Sequence, residues 1–183
     1  RSGMGSGVFS AMRWQGTARG MFRRDGTLVL QSAVSDMGPG TATAMVQIAS
    51  EVLDIPKEKI VFELGSSSLP PGPIQGGSAT TSTLGSAVHE VCTAMKQKLK
   101  ELAVNDLHSV LNHAKPEDIK IENGELFLAS DPSKKIHYTS LVTHGNLAAL
   151  DFTKESSGGE ELRKYSMYSF SVHFAKVAVH PAT

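Results

Sequence analysis

Cysteine is almost missing from this chain of 183 residues, which carries a single thiol at Cys92. Disulfides within the chain and iron–sulfur clusters, both of which need several thiols, are therefore excluded. Cys92 falls near the apolar face of a predicted helix and reads as a buried structural thiol. Charge of either sign is also in balance, with Lys+Arg 18 against Asp+Glu 18. No basic run stands beside aromatics, and Lys96, Lys98 and Lys100 fall on a solvated helix face, so no nucleic-acid surface is expected. No apolar stretch is long enough to cross a bilayer, and Arg1-Ser-Gly-Met-Gly5 lacks the apolar core of a signal peptide. A chain that stays out of the membrane is expected, placed in the cytoplasm with the periplasm left open. The seven His residues are scattered, and His89 with Cys92 makes a lone pair, short of the four ligands of a closed zinc site. No metal ligand from the protein is expected. Gly76-Gly-Ser-Ala-Thr80 fails the last position of a Gly-x-Ser-x-Gly elbow, and no glycine loop ends in Gly-Lys-Ser/Thr.

What is present is a pair of loops, Asp36-Met-Gly-Pro-Gly-Thr-Ala-Thr43 and Gly76-Gly-Ser-Ala-Thr-Thr-Ser-Thr83, each running straight into a helical pattern. After the first, Ala42, Met45, Val46, Ala49, Val52 and Leu53 recur at spacings of three and four until Ile55-Pro56 stops the helix. After the second, Leu84, Ala87, Val88, Val91, Met95, Leu99 and Leu102 form a similar stripe. Glycines, hydroxyls and free backbone N–H groups thus gather at two positive helix ends, which is a way to hold phosphate without a cluster of Lys or Arg. Helix capping by Thr or Ser is the plain alternative for either loop; the pairing of two favours a ligand.

The remainder reads as strands and turns. Asp25-Gly26 separates Thr17–Arg23 from Thr27–Val34, and Asn123-Gly124 separates Ile119 and Ile121 from Leu126 and Leu128, which predicts two hairpins. A strand is expected at Ile60–Glu63, an extended proline-rich loop at Leu69–Pro73, a turn at 131–134, a short helix at Tyr138–His144, and a mobile loop at Ser156–Gly159. Tyr165–Val179 reads as one strand or a bent pair, after which the chain runs out at His180-Pro-Ala-Thr183 without cap or tail, as a piece of something longer would. Arg13, Trp14, Arg19, Arg23 and Arg24 read as a polar sheet face or as a contact with a further lobe, the latter being favoured. The fold class is α+β: a mixed β-sheet with hairpins packed by two main amphipathic helices. Residues 1–104 would form the half carrying both loops, and 105–183 a half with a hairpin, a short helix and a long last strand.

Asp36-Met-Gly-Pro-Gly40 with Thr43, the segment Gln47 to Ile60, the loop Gly76 to Thr83 and Gly85-Ser-Ala-Val88 resemble, in motif, order and spacing, the large molybdenum-binding subunit of the xanthine dehydrogenase and aldehyde oxidase family. The resemblance extends to Arg1–Val8 and to Tyr168–Pro181, each similar to a strand of that subunit's second molybdopterin-binding region. It implies a molybdopterin cofactor, in bacterial aldehyde oxidoreductases commonly its cytosine dinucleotide. It places Gly38, Pro39 and Gly40 near the pterin and metal, and Gly76, Gly77, Ser78, Ala79, Thr80 and Thr81 around the phosphates and pterin. Molybdenum is held in this family by the cofactor's dithiolene sulfurs, in keeping with the lack of a His and Cys cluster here. Position 39 is Pro, where many members carry Gln, and Pro has neither a side-chain amide nor an N–H. The family's catalytic Glu lies in a glycine-rich motif near the subunit's C-terminus and a further cofactor loop lies upstream. Neither motif occurs in these residues, so no catalytic residue is assigned.

The resemblance further implies hydroxylation of an aldehyde or N-heterocycle with oxygen from water, with electrons leaving through iron–sulfur and FAD subunits or domains, and contact with the remainder of the same subunit. Two rivals stay open: a non-catalytic module binding a dinucleotide or other phosphorylated ligand through the same loops, and a structural interaction domain in which both loops are caps.

Overall fold

A computed structural model describes residues 1–181; Ala182 and Thr183, the expected run-out of the chain, lie outside them. Its centre is a four-stranded sheet made from β2 (Gly16–Arg23), β3 (Leu28–Gln31), β4 (Ile60–Glu63) and β8 (Ala149–Ser156), in the order β4-β3-β2-β8. β2 pairs antiparallel with β3 and β8, whereas β3 and β4 run parallel, so the sheet is mixed as expected. The parallel pair needs a crossover, and α1 (Thr41–Leu53) provides it. α2 (Thr80–Asn105) crosses the sheet and buries Leu84, Val88, Val91, Met95 and Leu99, each contributing about 1.5–3 kcal/mol by leaving water.

Both hairpins form. Between β2 and β3, Arg23 N–H donates to Thr27 O, and Gly26 takes φ 84 while Asp25 Oδ1 accepts from Thr27 N–H. Between β5 (Ile119–Glu122) and β6 (Glu125–Leu128), Asn123 and Gly124 take φ 50 and 76, the paired positive angles of a two-residue turn. This second hairpin is tied to the end of α1: Gly124 N–H donates to Asp54 O at 2.8 Å and Asn123 N–H to Asp54 Oδ2 at 3.0 Å. α3 (Tyr138–His144) follows, and the Tyr138 hydroxyl donates to Leu53 O at 2.9 Å, satisfying a carbonyl that α1 leaves free.

Four expectations change. The turn expected at 131–134 is part of a strand, β7 (Asp131–His137), on the outside of the sheet β5-β6-β7. The chain reverses instead at Ala129 and Ser130, and a register shift at Phe127/Leu128 sets Asp131 opposite Leu128, which leaves Pro132 on an edge where its missing N–H is tolerated. β8 was not expected, since Asp151, Lys154 and Glu155 hide its pattern. The last strand, β9, is shorter than expected, Tyr168–Lys176, and pairs antiparallel with β1 (Ser2–Ser10) as a separate two-stranded ribbon. The arginines favoured as a contact with a further lobe largely have partners within the chain: Arg19 pairs with Asp151 across β2 and β8, Nε to Oδ1 at 2.9 Å, and Arg24 donates to Leu147 O and Asn146 Oδ1. No helix among the described residues is long and apolar enough to cross a membrane.

Candidate functional site

Two close backbone approaches decide where the glycine-rich loops sit. A Cβ on Gly85 would stand 2.8 Å from Ile48 Cδ1 and 3.6 Å from Met45 Cε, so α1 and α2 cross within their first two turns and present their N-termini at the same end. Upstream, the strands that lead into the loops are themselves paired. Ala33 N–H donates to Pro70 O at 2.7 Å and Ala33 bridges Pro71, while the Gln75 side chain accepts from Ser35 N–H at 2.8 Å and donates to Ser35 O at 2.9 Å. A Cβ on Gly72 would strike Ala33 O at 2.8 Å, so this clamp depends on glycine.

In the first loop Gly38 and Gly40 take φ 93 and 77, and a Cβ at either would meet open space. Gly38 N–H is used by Asp36 Oδ1 at 2.9 Å, and Pro39 has none to offer. Gly40 is the N-cap of α1, which has no side-chain cap; among the described residues the N–H groups of Thr41, Ala42 and Thr43 meet no acceptor. The Thr41 hydroxyl, on a residue 1% exposed, has no hydrogen-bond partner among the described residues. An unmet buried hydroxyl costs about 1–3 kcal/mol, so its place at a positive helix end stands out.

In the second loop Gly77 and Ser78 both take left-handed angles, φ 55 and 56, and Ala79 N–H returns to Gly76 O at 3.1 Å. Ala79 is the N-cap of α2 and again no side chain caps the helix. The hydroxyls here divide by role. Ser82 donates to Met12 O at 2.6 Å and Thr83 accepts from Trp14 N–H at 3.0 Å, tying the segment before β2 to the helix. Ser78, Thr80 and Thr81 make no side-chain hydrogen bond among the described residues; Thr80 is buried, while Ser78 and Thr81 are exposed. Met12 and Trp14 lie under Gly77, 3.5 Å from where its Cβ would be.

Capping thus accounts for neither loop. Of the nine expected residues, Gly38, Pro39 and Gly40 stand at one helix end and Gly76, Gly77, Ser78, Ala79, Thr80 and Thr81 at the other. Ala79 is buried with its N–H engaged, and the side chain of Thr80 is turned largely inward. The sequence reading missed the Met12–Trp14 floor and the Gln75 clamp, neither of which has a local pattern. Donors with no acceptor, open space above glycine and no Lys or Arg on either loop suit an anionic group wrapped by backbone amides. Such a surface suits phosphate oxygens and supplies no metal ligand. Among the described residues no group of His, Cys, Asp and Glu could hold a metal ion. Cys92 is buried, its thiol pushed up to about 12 by desolvation, and is no nucleophile. A cleft of about 940 Å³ lies beside Arg13, Ser86, His89 and Glu161 and includes none of the nine residues. There Arg13 donates to Gly158 O and pairs with Glu161 at 2.8 Å.

Comparison with known proteins adds a sequence match and a fold match. The profile of the molybdopterin cofactor-binding domain family matches residues 2–183. The chain is 28% identical over 183 residues to the aldehyde oxidoreductase molybdenum-binding subunit PaoC of Escherichia coli (strain K12), covering 99% of this chain and 23% of that protein. It is 35% identical over 77 residues to the xanthine dehydrogenase/oxidase of Felis catus, 42% of this chain and 6% of that one. Among solved structures, quinoline 2-oxidoreductase from Pseudomonas putida 86 superposes with a TM-score of 0.76 at 20% identity, over 94% of this chain and 24% of that chain. CO dehydrogenase from Oligotropha carboxidovorans superposes with a TM-score of 0.75 at 19% identity, over 94% of this chain and 23% of that chain. The chain therefore spans less than a quarter of the length of the PaoC subunit.

Proposed function

This chain belongs to the molybdopterin cofactor-binding domain family, and we propose that it is one part of the molybdenum-binding subunit of an aldehyde or xanthine oxidoreductase, where its two glycine-rich loops grip the cofactor. The observation that carries the reading is the pair of side-by-side helix N-termini without side-chain caps, one of them bearing the orphaned Thr41 hydroxyl. The N–H groups of Gly40 to Thr43 and of Gly77 to Ser82, Ala79 excepted, together with the Ser78 and Thr81 hydroxyls, donate to phosphate and pterin oxygens, Thr80 taking part through its backbone. The cytosine dinucleotide is the form we assign, since two separate helix ends suit two phosphates. Gly38 and Gly40 allow close approach, and Pro39 contributes shape rather than a hydrogen bond. Residues 1–104 are the cofactor-contacting half.

The bound cofactor supplies the redox chemistry by which an aldehyde or N-heterocycle is hydroxylated with oxygen from water. This chain's own residues bind and orient it, and they exclude water beneath Gly77 through Met12 and Trp14. The catalytic carboxylate, the electron-accepting iron–sulfur and FAD partners and the other cofactor loop come from outside residues 1–183. The cytoplasm is the compartment we assign.

The test uses the full-length subunit, with molybdenum and pterin measured per folded protein. Thr41→Val keeps shape and removes the unmet hydroxyl; it should leave thermal stability of the cofactor-free protein equal or higher while weakening cofactor retention. Thr81→Val should weaken retention by about 1–3 kcal/mol, the scale of a hydrogen bond to a charged group. Gly77→Val, which places bulk against Trp14 at a left-handed φ, should abolish it. Unchanged cofactor content in all three variants would remove the loops from the site and return them to a structural role.

A further inference from the structure

The β1–β9 ribbon is the most exposed part of the molecule: every one of its residues is open to solvent. Its register places Met4 opposite Phe174 and Val8 opposite Phe170, with Ser6 opposite Val172 and Ser10 opposite Tyr168. Side chains alternate between the faces of a strand, so Met4, Val8, Tyr168, Phe170, Val172 and Phe174 share one face. Phe170 is 80% exposed, Phe174 78%, Met4 68% and Val8 60%. The opposite face carries Gly3, Gly5 and Gly7 across from Ala175, His173 and Ser171, with Phe9 opposite Ser169 as its one large apolar side chain. Neither outer edge of the ribbon is paired among the described residues.

A two-stranded ribbon with one bare apolar face is marginal in water, and its flat edges invite aggregation. The four-stranded sheet gives it no shelter, because each strand of the ribbon finds its neighbours in the other. We propose that this apolar face is the seat of an apolar element contributed by the same polypeptide from outside residues 1–183. This rests on the reading of the chain as part of a longer subunit. Two observations choose that occupant over a second copy or a separate protein. The chain spans 23% of the length of its PaoC relative, so most of the subunit is available to cover it. In addition, the Arg1 amino group donates to Val177 O and Val177 N–H donates to Arg1 O, both at 2.9 Å, so both ways out of this segment leave from the same end of the ribbon. Polypeptide continuing in either direction starts beside the bare face, at the high effective concentration of an intramolecular contact. Among the described residues of the two strands the charge on that face is Lys176, at its rim, which does not repel an apolar occupant.

Hydroxyl-radical footprinting of the full-length, folded subunit tests this, with the urea-unfolded subunit as reference for Met4, Phe170 and Phe174, and with metal content read on the same preparation. The expected result is labelling of all three slowed at least about tenfold, unchanged when the protein is diluted a hundredfold. Slowing below tenfold overturns the proposal, because the face is then open in the whole protein. Slowing that disappears on dilution also overturns it, since the occupant is then a second copy or another chain. A protected ribbon in a folded subunit that cannot retain molybdenum would count against the cofactor reading and leave the docking intact, whereas a loaded subunit with an open ribbon would do the reverse.

Discussion

Gly20→Ala is the perturbation that most directly tests how α2 is seated on the sheet. At an unhindered position a Gly to Ala change stabilises by about 0.4–1 kcal/mol, through the lower entropy of the unfolded chain. Gly20 is not such a position. It is a buried residue of the central strand β2, between Leu30 on β3 and Phe152 on β8, and its added Cβ would stand 2.5 Å from Val91 Cγ1 and 3.2 Å from Leu30 Cδ2. Val91 is fully buried on α2, and a β-branched side chain in a helix has one strongly preferred rotamer, so its methyl cannot swing aside. The helix or the strand must move, and overpacking of this kind costs about 1–3 kcal/mol. Set against the entropic gain, a net loss of about 1–2 kcal/mol is expected. Val91→Ala alone should cost about 2–3 kcal/mol as a cavity, yet combined with Gly20→Ala it vacates the space that the new methyl needs. The double variant should therefore be at least about 1 kcal/mol more stable than the sum of the single losses. Urea unfolding of the chain followed by far-UV circular dichroism measures all three. A higher midpoint for Gly20→Ala, or strict additivity in the double variant, would mean that α2 is not packed on Gly20.

Gly26→Val should destabilise by about 1 kcal/mol or more, since Gly26 takes φ 84 in the first hairpin and its Cβ would press on Thr139 Cγ2 at 3.3 Å; an unchanged melting temperature refutes this. Cys92, buried with its thiol pushed up to about 12, should react with iodoacetamide at neutral pH only as fast as the protein unfolds, which mass spectrometry against time will show. The hydrogen bond and charge of Arg19 hold the Asp151 carboxyl below its ordinary value, so this pair's contribution is complete above the unfolded carboxyl's pKa of about 3.9 and is lost as pH falls through the lower folded value. Arg19→Met should make the acid limb of the stability curve shallower, and an identical limb would dismiss the pair. Residues 1–183 alone should show no dye-coupled aldehyde oxidation; turnover by the purified, cofactor-free chain would place the chemistry within these residues and refute the reading.

Local chemistry made much of this protein legible in its sequence. Asp25-Gly26 and Asn123-Gly124 need positive φ within the turn, and only such residues accept it cheaply, so both hairpins could be placed without tertiary knowledge. The stripes Met45–Leu53 and Leu84–Leu99 set the helices and their buried sides, because a 3.6-residue period survives whatever partner covers it. The two glycine-rich loops, with the segments Gln47 to Ile60 and Gly85 to Val88 in matching order and spacing, carried the resemblance. What only the tertiary structure decided was contact across long stretches of chain. β8 had no readable pattern, since its charged residues face outward and its place is fixed by eight pairings with β2. Ser82 and Thr83 read as caps or ligand donors and proved to be ties to Met12 and Trp14, about seventy positions away, while Thr41 in the same kind of position has no partner among the described residues. A hydroxyl at a helix start reads the same in sequence whichever it does; the difference lies in what the rest of the chain brings within 3 Å of it.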